Sequence, residues 1–508
     1  MLRPLFKDHP AGLPVLFMTE MWERFSYYGM RALLVLYLTK HFLFSDEAAY
    51  GLYGSYVALV YGMPILGGAI ADRYLGYRKA VLFGAVLLVC GHFGMAFEGP
   101  IAQKVTTTQG VDVIVRSSQH EQILYLSLAL IITGVGFLKS NISTIVGTLY
   151  EENDPRRDAG FTLYYMGINI GALMAMLLCG WLGEAYGWAY GFGLAGFGML
   201  MGMIVFSRGQ QALEGRAEPK KPELLRQKVM GIVSVEHAIY AGGVAAVIVI
   251  WQLVQRAELV GDILQYGGGG VVLAVIFYAV LKCNAVDRNR LFVLLTLTFF
   301  SVLFWSLFEQ QATSMTLFTD RVVDRELWGL TVPAATVPFL NPLIIILFAP
   351  VFSGLWLALA RAGRDPSTPM KFVLALLLMG SSFGVLVLSA QFTGPEGQVA
   401  LIWLVLVYFL QTTGELCLSP VGLSAVTKLS LAHIASLLMG VWFLSNAAAG
   451  FVGAKIAAMT SANGRIEGVD QLGVYTDTFA TIFWVSMVMA AALLLLTPLL
   501  KRGMAGIK

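Results

Sequence analysis

Fourteen apolar segments, each about as long as a helix that crosses a bilayer, dominate this 508-residue chain. The chain is 57% hydrophobic and 13% charged, with a mean hydropathy of +0.73, whereas soluble domains carry roughly 25% charged residues. These features predict an all-α polytopic membrane protein, in which no strand is expected. The predicted spans cover residues 14–38, 50–71, 79–97, 122–146, 160–182, 188–207, 234–255, 263–283, 291–318, 336–360, 371–390, 398–425, 435–459 and 478–500.

The distribution of lysine and arginine among the loops predicts the orientation of the chain. If the N-terminus is cytoplasmic, the inside segments collect 23 basic residues and the outside segments collect seven, which are Lys40, Lys104, Arg116, Arg256, Arg321, Arg325 and Arg465. Cytoplasmic loops of membrane proteins carry such an excess. We therefore predict a protein of the cell inner membrane with both termini in the cytoplasm. The net charge of +3 gives no reason to expect a nucleic-acid partner.

The spans are grouped as six, two and six around a polar stretch at residues 208–230. Two six-helix halves are typical of secondary transporters. We therefore divide the chain into a first bundle (1–207), a cytoplasmic linker (208–230), an inserted helix pair (231–284) and a second bundle (285–508). The inserted pair carries charge within its spans only near one end, and we interpret it as a peripheral insertion without a transport role.

The first span contains an unusual set of charges, Glu20, Glu23, Arg24 and Arg31. Each ionisable group at bilayer depth costs about 2.5–3.5 kcal/mol, so such groups persist where they face a protein interior or a wet cavity. Spacings of four, three and four residues place Glu20, Arg24, Tyr27 and Arg31 on one face of the helix. Self-pairing would orient the helix, yet so many charges exceed what packing needs. We therefore predict that this face lines a polar path and carries function.

Three further charges lie inside predicted spans, far from the predicted helix ends: Lys139, Glu309 and Glu415. With the first span they form a set that is one positive charge short of balance, because four carboxylates face three cations: Glu20, Glu23, Glu309 and Glu415 against Arg24, Arg31 and Lys139. One bound proton would neutralise the set, since desolvation and like charge both favour a neutral carboxyl. The pattern predicts a proton-coupling site.

The same residues suit a ligand that carries both charges. Arg24 and Lys139 can bind a carboxylate, and Glu415, with Asn341 as a hydrogen-bond partner, can bind an ammonium. A zwitterion a few ångströms long fits this chemistry better than a sugar or a lipophilic cation. Asn169 is isolated in an apolar span and is a further candidate. Aromatic candidates for the cavity wall, each more typical of packing when taken alone, are Tyr27, Tyr28, Tyr61, Tyr165, Trp305 and Trp442.

The sequence shows no motif for ATP hydrolysis, metal binding or phosphate binding. No ATPase domain is visible, the six histidines show no metal-ligand spacing, and no glycine-rich phosphate loop follows a strand. We therefore expect neither an enzyme nor a bound cofactor. The energy source that these observations favour is an ion gradient.

The segment Glu20–Arg31 resembles the ExxER signature of the proton-dependent oligopeptide transporters. Residues 67–79, which read GGAIADRYLGYRK, resemble the first cytoplasmic motif of the major facilitator superfamily. The segment Tyr164–Gly171 is similar to the family's FYxxINxG motif, with tyrosine in place of phenylalanine. The segments around Lys139 and Glu415 also match family motifs. The resemblance covers both six-helix halves, and the central pair resembles that of the bacterial members.

The resemblance implies the major facilitator fold and proton-coupled import of di- and tripeptides by alternating access, with no cofactor besides the proton gradient. It implies that proton coupling rests on Glu20, Glu23 and Glu309. It also implies two gating salt bridges, Arg31 with Glu309 on the outer side and Lys139 with Glu415 on the inner side. The implied peptide-binding residues are Arg24, Tyr28, Tyr61, Lys139, Asn169, Trp305, Asn341, Glu415, Ser419 and Trp442.

Within that set, the resemblance assigns the peptide C-terminus to Arg24 and Lys139 and the N-terminus to Glu415 and Asn341. Animal members of the family use a histidine on the second helix, and residues 50–72 contain none. Proton chemistry is therefore expected to rest on carboxylates. We expect the chain to work in the lipid bilayer as a monomer.

Other classes of function make different demands on the sequence. A proton-driven drug exporter should have an aromatic cavity with few cations, which Arg24, Arg31 and Lys139 contradict. An intramembrane enzyme would need a nucleophile–base pair or a metal site, and no such pairing is visible. A nutrient receptor that has lost transport, or a carrier of another small anion or zwitterion, stays open as an alternative. The intact ExxER string favours peptides over nitrate.

Overall fold

The structure is a computed structural model and describes residues 6–108, 110–151, 154–229, 231–431, 434–461 and 471–506. Within these residues, 13 helices are long and apolar enough to cross a membrane. The helix Gly12–Lys40 has 29 residues and is not among those 13, because its internal charges lower its hydropathy. Arg465, one of the basic residues predicted to lie outside, falls beyond the described residues.

Each predicted span coincides with a long helix or with a helix that is interrupted within the span. A π-helical turn, Ala71–Leu75, continues the helix Asp46–Ile70, and a second one, Ile263–Gly268, joins the helices Ala257–Asp262 and Gly269–Lys282. A 3-10 turn, Glu309–Ala312, separates the helices Ala285–Phe308 and Ser314–Arg321, and another, Ala334–Phe339, leads into the helix Leu340–Arg361. The described helices are α1 (Gly12–Lys40), α2 (Asp46–Ile70), α3 (Tyr77–Met95), α4 (Ser118–Thr148), α5 (Arg157–Tyr186), α6 (Trp188–Arg208), α7 (Pro222–Arg226), α8 (Val235–Val254), α9 (Ala257–Asp262), α10 (Gly269–Lys282), α11 (Ala285–Phe308), α12 (Ser314–Arg321), α13 (Leu340–Arg361), α14 (Thr368–Ser389), α15 (Ile402–Leu429), α16 (Ala435–Ala458) and α17 (Gln471–Gly503).

Short strands in the polar loops correct the expectation that the chain has none. The longest described pair, Gln103–Thr106 and Asp112–Val115, forms an antiparallel hairpin whose turn contains Gly110, with φ +75°. Backbone groups in these loops have no helical partners, and pairing satisfies them. The strands are β1 (Gln103–Thr106), β2 (Asp112–Val115), β3 (Lys228–Val229), β4 (Val233–Ser234), β5 (Val323–Asp324), β6 (Glu326–Leu327), β7 (Leu330–Thr331) and β8 (Val399–Ala400). Pairs β1–β2, β3–β4 and β6–β7 are antiparallel, and β5–β8 is parallel.

Packing divides the chain into two compact units. Unit 1 comprises residues 1–44, 59–257 and 335–339, and unit 2 comprises residues 45–58, 258–334 and 340–508. Helix α2 therefore contributes its first half to unit 2 and its second half to unit 1. The inserted pair is divided as well, since α8 belongs to unit 1 and α9 and α10 belong to unit 2. These units describe packing, and the predicted segment boundaries stay a prediction.

Glycines bring α1 into close contact with α5 inside unit 1. A Cβ atom at Gly171 would lie 2.2 Å from the carbonyl oxygen of Met21, and one at Gly29 would lie 2.7 Å from Sγ of Cys179. Neither position can accept a larger side chain unless the helices separate. These contacts hold α1 in the interior of unit 1, where Glu20, Glu23 and Arg24 are buried.

The predicted linker is an ordered part of unit 1. Arg78, in the first turn of α3 and within the segment 67–79 that resembles the superfamily motif, donates two hydrogen bonds to the carboxylate of Glu218. Lys220 pairs with Asp72 at 2.5 Å. Leu225 of α7 is buried in an apolar cluster with Ala71 and Leu75 of this segment. The described part of the linker, residues 208–229, therefore packs on the segment 67–79 instead of forming a free connection.

Candidate functional site

The charges of α1 form a buried cluster, here called the α1 cluster, which consists of Glu20, Glu23 and Arg24. These residues are 3%, 1% and 4% exposed. Arg24 donates Nε and Nη2 to the two carboxylate oxygens of Glu23, with Nη2 2.7 Å from Oε1. The Nε of Arg24 also lies 3.2 Å from Oε1 of Glu20. Two carboxylates thus share one guanidinium, and loss of Arg24 would leave both buried carboxylates without it.

A second cation lies close to the α1 cluster in unit 1. The Nζ of Lys139, on α4, is 4.2 Å from the ring centroid of Tyr61 on α2. Arg24, Glu23 and Glu20 all act electrostatically on Lys139. With Lys139 charged and both carboxylates ionised, the charges of Glu20, Glu23, Arg24 and Lys139 sum to zero, and Arg31 also acts electrostatically on Lys139. An incoming carboxylate would therefore find two cations whose counter-ions are already present.

Aromatic rings surround the α1 cluster on its own helix. The guanidinium carbon of Arg24 is 5.0 Å from the ring centroid of Tyr27, and the rings of Tyr27 and Tyr28 meet edge to face at 5.2 Å. Stacking of this kind holds a guanidinium plane in place. Asn169, on α5, is 5% exposed and donates Nδ2 to the carbonyl oxygen of Tyr165 at 3.0 Å. The Tyr165 side chain itself is 42% exposed.

Unit 2 contains the carboxylate predicted to bind an ammonium. Glu415, in the middle of α15, is 8% exposed, and its Oε2 accepts a hydrogen bond of 2.9 Å from Nδ2 of Asn341. The same nitrogen donates to the hydroxyl of Thr412 at 3.0 Å. Asn341 is at the start of α13, directly after the 3-10 turn. The two residues proposed for one role from sequence are therefore hydrogen-bonded neighbours.

Glu309 occupies a break inside the segment predicted as the span 291–318, which corrects the expectation of a continuous helix there. It begins the 3-10 turn between α11 and α12 and is 6% exposed. The hydroxyl of Tyr53, on the first half of α2, donates to Oε2 of Glu309 at 2.8 Å. The break brings a carboxylate and freed backbone groups to the same buried point.

The remaining predicted pocket residues lie in unit 2 and have mainly packing contacts. The Trp305 ring lies 5.3 and 5.2 Å from the rings of Phe304 and Phe308. Trp442 is 7% exposed and packs so closely on Gly422 that a Cβ there would lie 2.7 Å from its ring. Ser419 is half-buried on α15, one turn after Glu415.

A sequence model of the POT family (PTR2) matches residues 78–473. The chain belongs to the POT family. It is 37% identical to the uncharacterized transporter YclF of Bacillus subtilis, over 99% of this chain and 96% of that protein. It is 34% identical to the peptide transporter YePEPT of Yersinia enterocolitica, over 98% of this chain and 96% of that protein. The sequence resemblance is thereby confirmed.

Solved structures of POT transporters support the same assignment. One of a peptide transporter POT in complex with sulfate is 36% identical, with a TM-score of 0.80, and the match covers 98% of this chain and 96% of that one. Another, of a POT family transporter in complex with 5-aminolevulinic acid, is 30% identical with a TM-score of 0.78 and coverage of 97% of each chain. The predicted major facilitator fold is confirmed, and the POT family is one of multi-pass membrane transporters, not enzymes.

Sequence reasoning missed several polar contacts in this POT-family chain. Tyr53 was not singled out, because nothing in its own segment distinguishes it from the other tyrosines of α2. Thr412 lies one turn before Glu415, and that spacing is a signal that could have identified it. The predicted gating pairs Arg31 with Glu309 and Lys139 with Glu415 each join residues of different units, and they stay predictions.

Proposed function

We propose that this chain is a proton-coupled symporter that imports di- and tripeptides by alternating access. The observation that carries the proposal is that each unit buries a polar group suited to one end of a zwitterion. Unit 1 supplies Arg24 and Lys139, and unit 2 supplies Glu415 with Asn341. Peptides are the first substrate to test, because one relative is named a peptide transporter and two others are named dipeptide and tripeptide permeases A and B.

In this proposal, each pair of polar groups binds one end of the peptide. Arg24 and Lys139 bind the C-terminal carboxylate, and the side chains beside them contribute to that end: Tyr28, Tyr61 and Asn169. Glu415 binds the N-terminal ammonium while Asn341 keeps the carboxylate oriented. Trp305, Ser419 and Trp442 line the pockets for peptide side chains, where their packing contacts give the pockets fixed walls.

Proton coupling is assigned to Glu20, Glu23 and Glu309. Glu20 and Glu23 share Arg24, so a peptide carboxylate that binds Arg24 competes with them for the same guanidinium. A proton on one of these carboxyls removes that competition, and peptide and proton then bind together. Arg31 with Glu309 and Lys139 with Glu415 are proposed as the outer and inner gating salt bridges, which protonation and binding would open in turn.

We place the protein in the cell inner membrane with both termini in the cytoplasm, on the distribution of basic residues. A proton gradient then supplies the energy, and no bound cofactor is needed. We propose the single chain as the transporting unit, since the groups proposed to bind peptide all come from one chain. A related solved structure, 25% identical, is described as tetrameric PepTSo2, so assembly and transport have to be measured separately.

A carrier of another small zwitterion is the second candidate. The observation that favours it is the solved POT transporter in complex with 5-aminolevulinic acid, which has an amine and a carboxylate but no peptide bond. The charged groups of both units would bind such a molecule equally well. Competition between this compound and a dipeptide for uptake separates the two substrates.

The decisive experiment is uptake of a labelled alanyl-alanine peptide into proteoliposomes with an inward proton gradient. Wild type should accumulate the peptide above equilibrium. Glu23→Gln should abolish accumulation while peptide exchange at equal pH survives in part. Glu47→Gln, which alters an exposed carboxylate in the first turn of α2, is the matched control and should behave as wild type. Absence of wild-type uptake despite measurable peptide binding would favour a receptor.

A further inference from the structure

The connection between α12 and α13 presents an apolar tip on the surface of unit 2. The side chain of Trp328 is 94% exposed, and Leu327 and Leu330 beside it are exposed as well. The two leucines face each other across the hairpin of β6 and β7. These three residues are here called the β6–β7 tip. Exposed apolar side chains that lie together are typical of a surface that contacts another molecule or a membrane.

The backbone of the tip is strained at its tryptophan. Trp328 has φ +52° and Gly329 has φ +81°. A two-residue connection with positive φ at both positions is the pattern of a type I′ turn, in which asparagine or aspartate normally precedes the glycine. A bulky residue in this conformation is an outlier. Because asparagine would form the turn with less strain, the turn by itself does not explain why a tryptophan is present.

Another turn of the chain has the same backbone conformation with a charged side chain. In the linker, Glu214 has φ +52° and Gly215 has φ +73°. The Glu214 side chain is exposed and lies 3.5 Å from the guanidinium of Arg216. This backbone therefore does not require an aromatic residue. Where such a turn faces water, the chain uses a charged residue, whereas the β6–β7 tip presents three apolar ones.

Hydrogen bonds hold the base of the hairpin in one conformation. Nη1 of Arg325 donates to the carbonyl oxygen of Val332 at 2.9 Å, and the backbone N–H of Val332 donates to the carbonyl oxygen of Arg325 at 2.9 Å. Nη2 of Arg325 lies 3.3 Å from Oδ1 of Asp320. The hydroxyl of Thr331 donates to the carboxylate of Glu326. The exposure of the tip is therefore a property of an ordered hairpin.

Strand pairing places this hairpin beside the end of a membrane span. Strand β5, which follows α12, pairs with β8, and Val323 lies opposite Val399. Strand β8 ends two residues before α15 begins. Trp328 is four residues beyond the end of β5, and four residues of extended chain reach at most about 14 Å. The tip therefore lies close to the level at which α15 enters the bilayer.

The neighbouring helix ends at this level are also apolar and aromatic on their surface. Ile402, the first residue of α15, and Phe392, which follows α14, are both exposed. The rings of Phe392 and Trp403 stack with centroids 5.7 Å apart. Aromatic side chains are enriched at the level of the lipid headgroups. The β6–β7 tip extends this surface beyond the helices.

The charges beside the tip distinguish apolar contact from recognition of headgroup charge. Asp324 and Glu326 are acidic and exposed, and the guanidinium of Arg325 is bonded within the hairpin base. Anionic lipids attract basic segments, so acidic neighbours give the tip no preference for them. Contact between the tip and lipid should depend on apolar burial and not on the charge of the headgroup.

We infer that the β6–β7 tip inserts Leu327, Trp328 and Leu330 among the headgroups of a phospholipid bilayer, at the surface where α12 ends and α15 begins. An indole suits this boundary because it has an apolar body and a polar N–H. Burial of the tip in the bilayer offsets the strain at Trp328. The insertion tethers the connection between α12 and α13 to the membrane surface. None of these steps depends on the proposed function.

The test is fluorine NMR of the full chain, labelled with 5-fluorotryptophan, in nanodiscs that hold one chain each, so that a second copy cannot cover the tip. The chain has ten tryptophans, and Trp328→Phe, at an exposed site, identifies the Trp328 resonance by its loss. Trp484, which is exposed on α17, is identified by Trp484→Phe and reports contact with lipid. Glu214→Trp is the matched control, because it places an indole on the same turn conformation at a charged surface.

Lipids that carry a nitroxide near the headgroup are then added in increasing fraction. We expect the resonances of Trp328 and Trp484 to disappear at a fraction that leaves the additional resonance of Glu214→Trp in place. If the Trp328 resonance persists as long as that of Glu214→Trp while the Trp484 resonance is lost, the tip does not contact lipid and the inference is wrong.

The composition of the nanodisc tests the nature of the contact. Discs of phosphatidylcholine alone and discs that contain phosphatidylglycerol should give loss of the Trp328 resonance at the same nitroxide fraction. Loss only with phosphatidylglycerol would show recognition of headgroup charge and would overturn the apolar contact. Because peptide uptake is not measured, the result is independent of whether the chain transports peptides.

Discussion

Arg321 binds Asp46 through two guanidinium nitrogens, which lie 2.6 and 2.8 Å from the two carboxylate oxygens. Asp46 begins α2 and Arg321 ends α12, so the ion pair fixes the first half of α2 within unit 2. The side chains are 18% and 23% exposed. Paired geometry of this kind is specific as well as strong. Two residues that the predicted domain division assigns to opposite bundles thus stabilise one packing unit.

Asp46→Asn should weaken this contact and leave the Arg321 charge only partly compensated. Because the pair is neither exposed nor fully buried, we expect a loss of about 1–2 kcal/mol in unfolding free energy. The measurement is thermal unfolding in detergent. Asp112→Asn removes an exposed pair with Lys104, whose side chain is 66% exposed, and should have a much smaller effect. Equal losses in the two variants would contradict the structural role given to Asp46.

Glu415→Gln tests recognition of the peptide N-terminus. A neutral amide cannot provide the charge-assisted hydrogen bond that Glu415 is proposed to make with an ammonium, so KM for alanyl-alanine should rise about ten- to a hundredfold. An N-acetylated peptide, which has no ammonium, should be transported poorly by wild type and no worse by the variant. If KM rises equally for the free and the N-acetylated peptide in Glu415→Gln, Glu415 has a structural role and does not bind the peptide ammonium.

Lys139→Gln gives the complementary test at the other end of the peptide. The variant should lose affinity for a free-acid dipeptide by about tenfold or more, whereas the C-terminal amide of the same dipeptide should be unaffected. Lys139→Arg keeps the charge and should retain part of the discrimination. Competition against uptake of labelled alanyl-alanine measures the affinity of wild type, Lys139→Gln and Lys139→Arg for each unlabelled dipeptide under one condition. If Lys139→Gln lowers affinity for the C-terminal amide as much as affinity for the free acid, Lys139 acts on folding or gating and does not bind the peptide carboxylate.

The membrane spans could be predicted from sequence because hydropathy averaged over about 20 residues needs no knowledge of neighbours. The break at Glu309 could not, because it depends on Gln310 reaching the carbonyl of Gly453, a residue 143 positions later. The short strands escaped prediction for a related reason, since their pairing is set by turns such as the one at Gly110. Local pattern decides which segments are helices, whereas distant partners decide where they bend.

The candidate site shows the same division. The spacing of Glu20 and Arg24 one turn apart predicts their contact, and the structure places the two side chains 3.2 Å apart. The hydrogen bond from Tyr53 to Glu309 joins residues 256 positions apart, so no local spacing in the sequence can predict it. The roles of the charged residues in peptide and proton binding stay predictions until they are measured.

His41 should make stability depend on pH. It follows α1, is 1% exposed, and its Nε2 lies 2.8 Å from the carbonyl oxygen of Glu98. Burial, partly offset by that carbonyl and by the Glu98 charge, lowers the pKa of His41 below its ordinary value of 6.5. A carbonyl only accepts, so Nε2 carries the hydrogen and protonation has to occur at the buried Nδ1. Neighbouring His120 further opposes the added charge.

The sign of the effect follows from proton binding. As pH falls through 6.5, the unfolded chain binds a proton at His41 more readily than the folded protein does, so acidification lowers the unfolding free energy. The contribution is at most about 1.4 kcal/mol per pH unit. His41→Gln should flatten the dependence of the thermal midpoint on pH between 5 and 7 in detergent. His237→Gln, at an exposed position of α8, should keep the wild-type slope, and an unchanged slope in His41→Gln would refute the assignment.

Packing of the inserted pair can be tested at Gly261 of α9. A Cβ there would lie 2.2 Å from Cζ of Phe451 on α16, and other ring atoms lie within 3.0 Å. Gly261→Ala therefore has to displace the ring or lift α9 from α16, at a cost of about 1–3 kcal/mol. Gly242 of α8 has no described atom within 4 Å of such a Cβ. Gly242→Ala should consequently be neutral or slightly stabilising, because alanine favours a helix.

Thermal unfolding and peptide uptake measured on the same preparations decide what the inserted pair does. If Gly261→Ala lowers the unfolding midpoint while uptake per folded molecule equals that of Gly242→Ala, the pair is a peripheral insertion, as the sequence suggests. Helix α8 packs in unit 1 and nearly all of α9 packs in unit 2. A fall in uptake beyond the fall in folded protein would therefore give the pair a part in the transport cycle and contradict the peripheral interpretation.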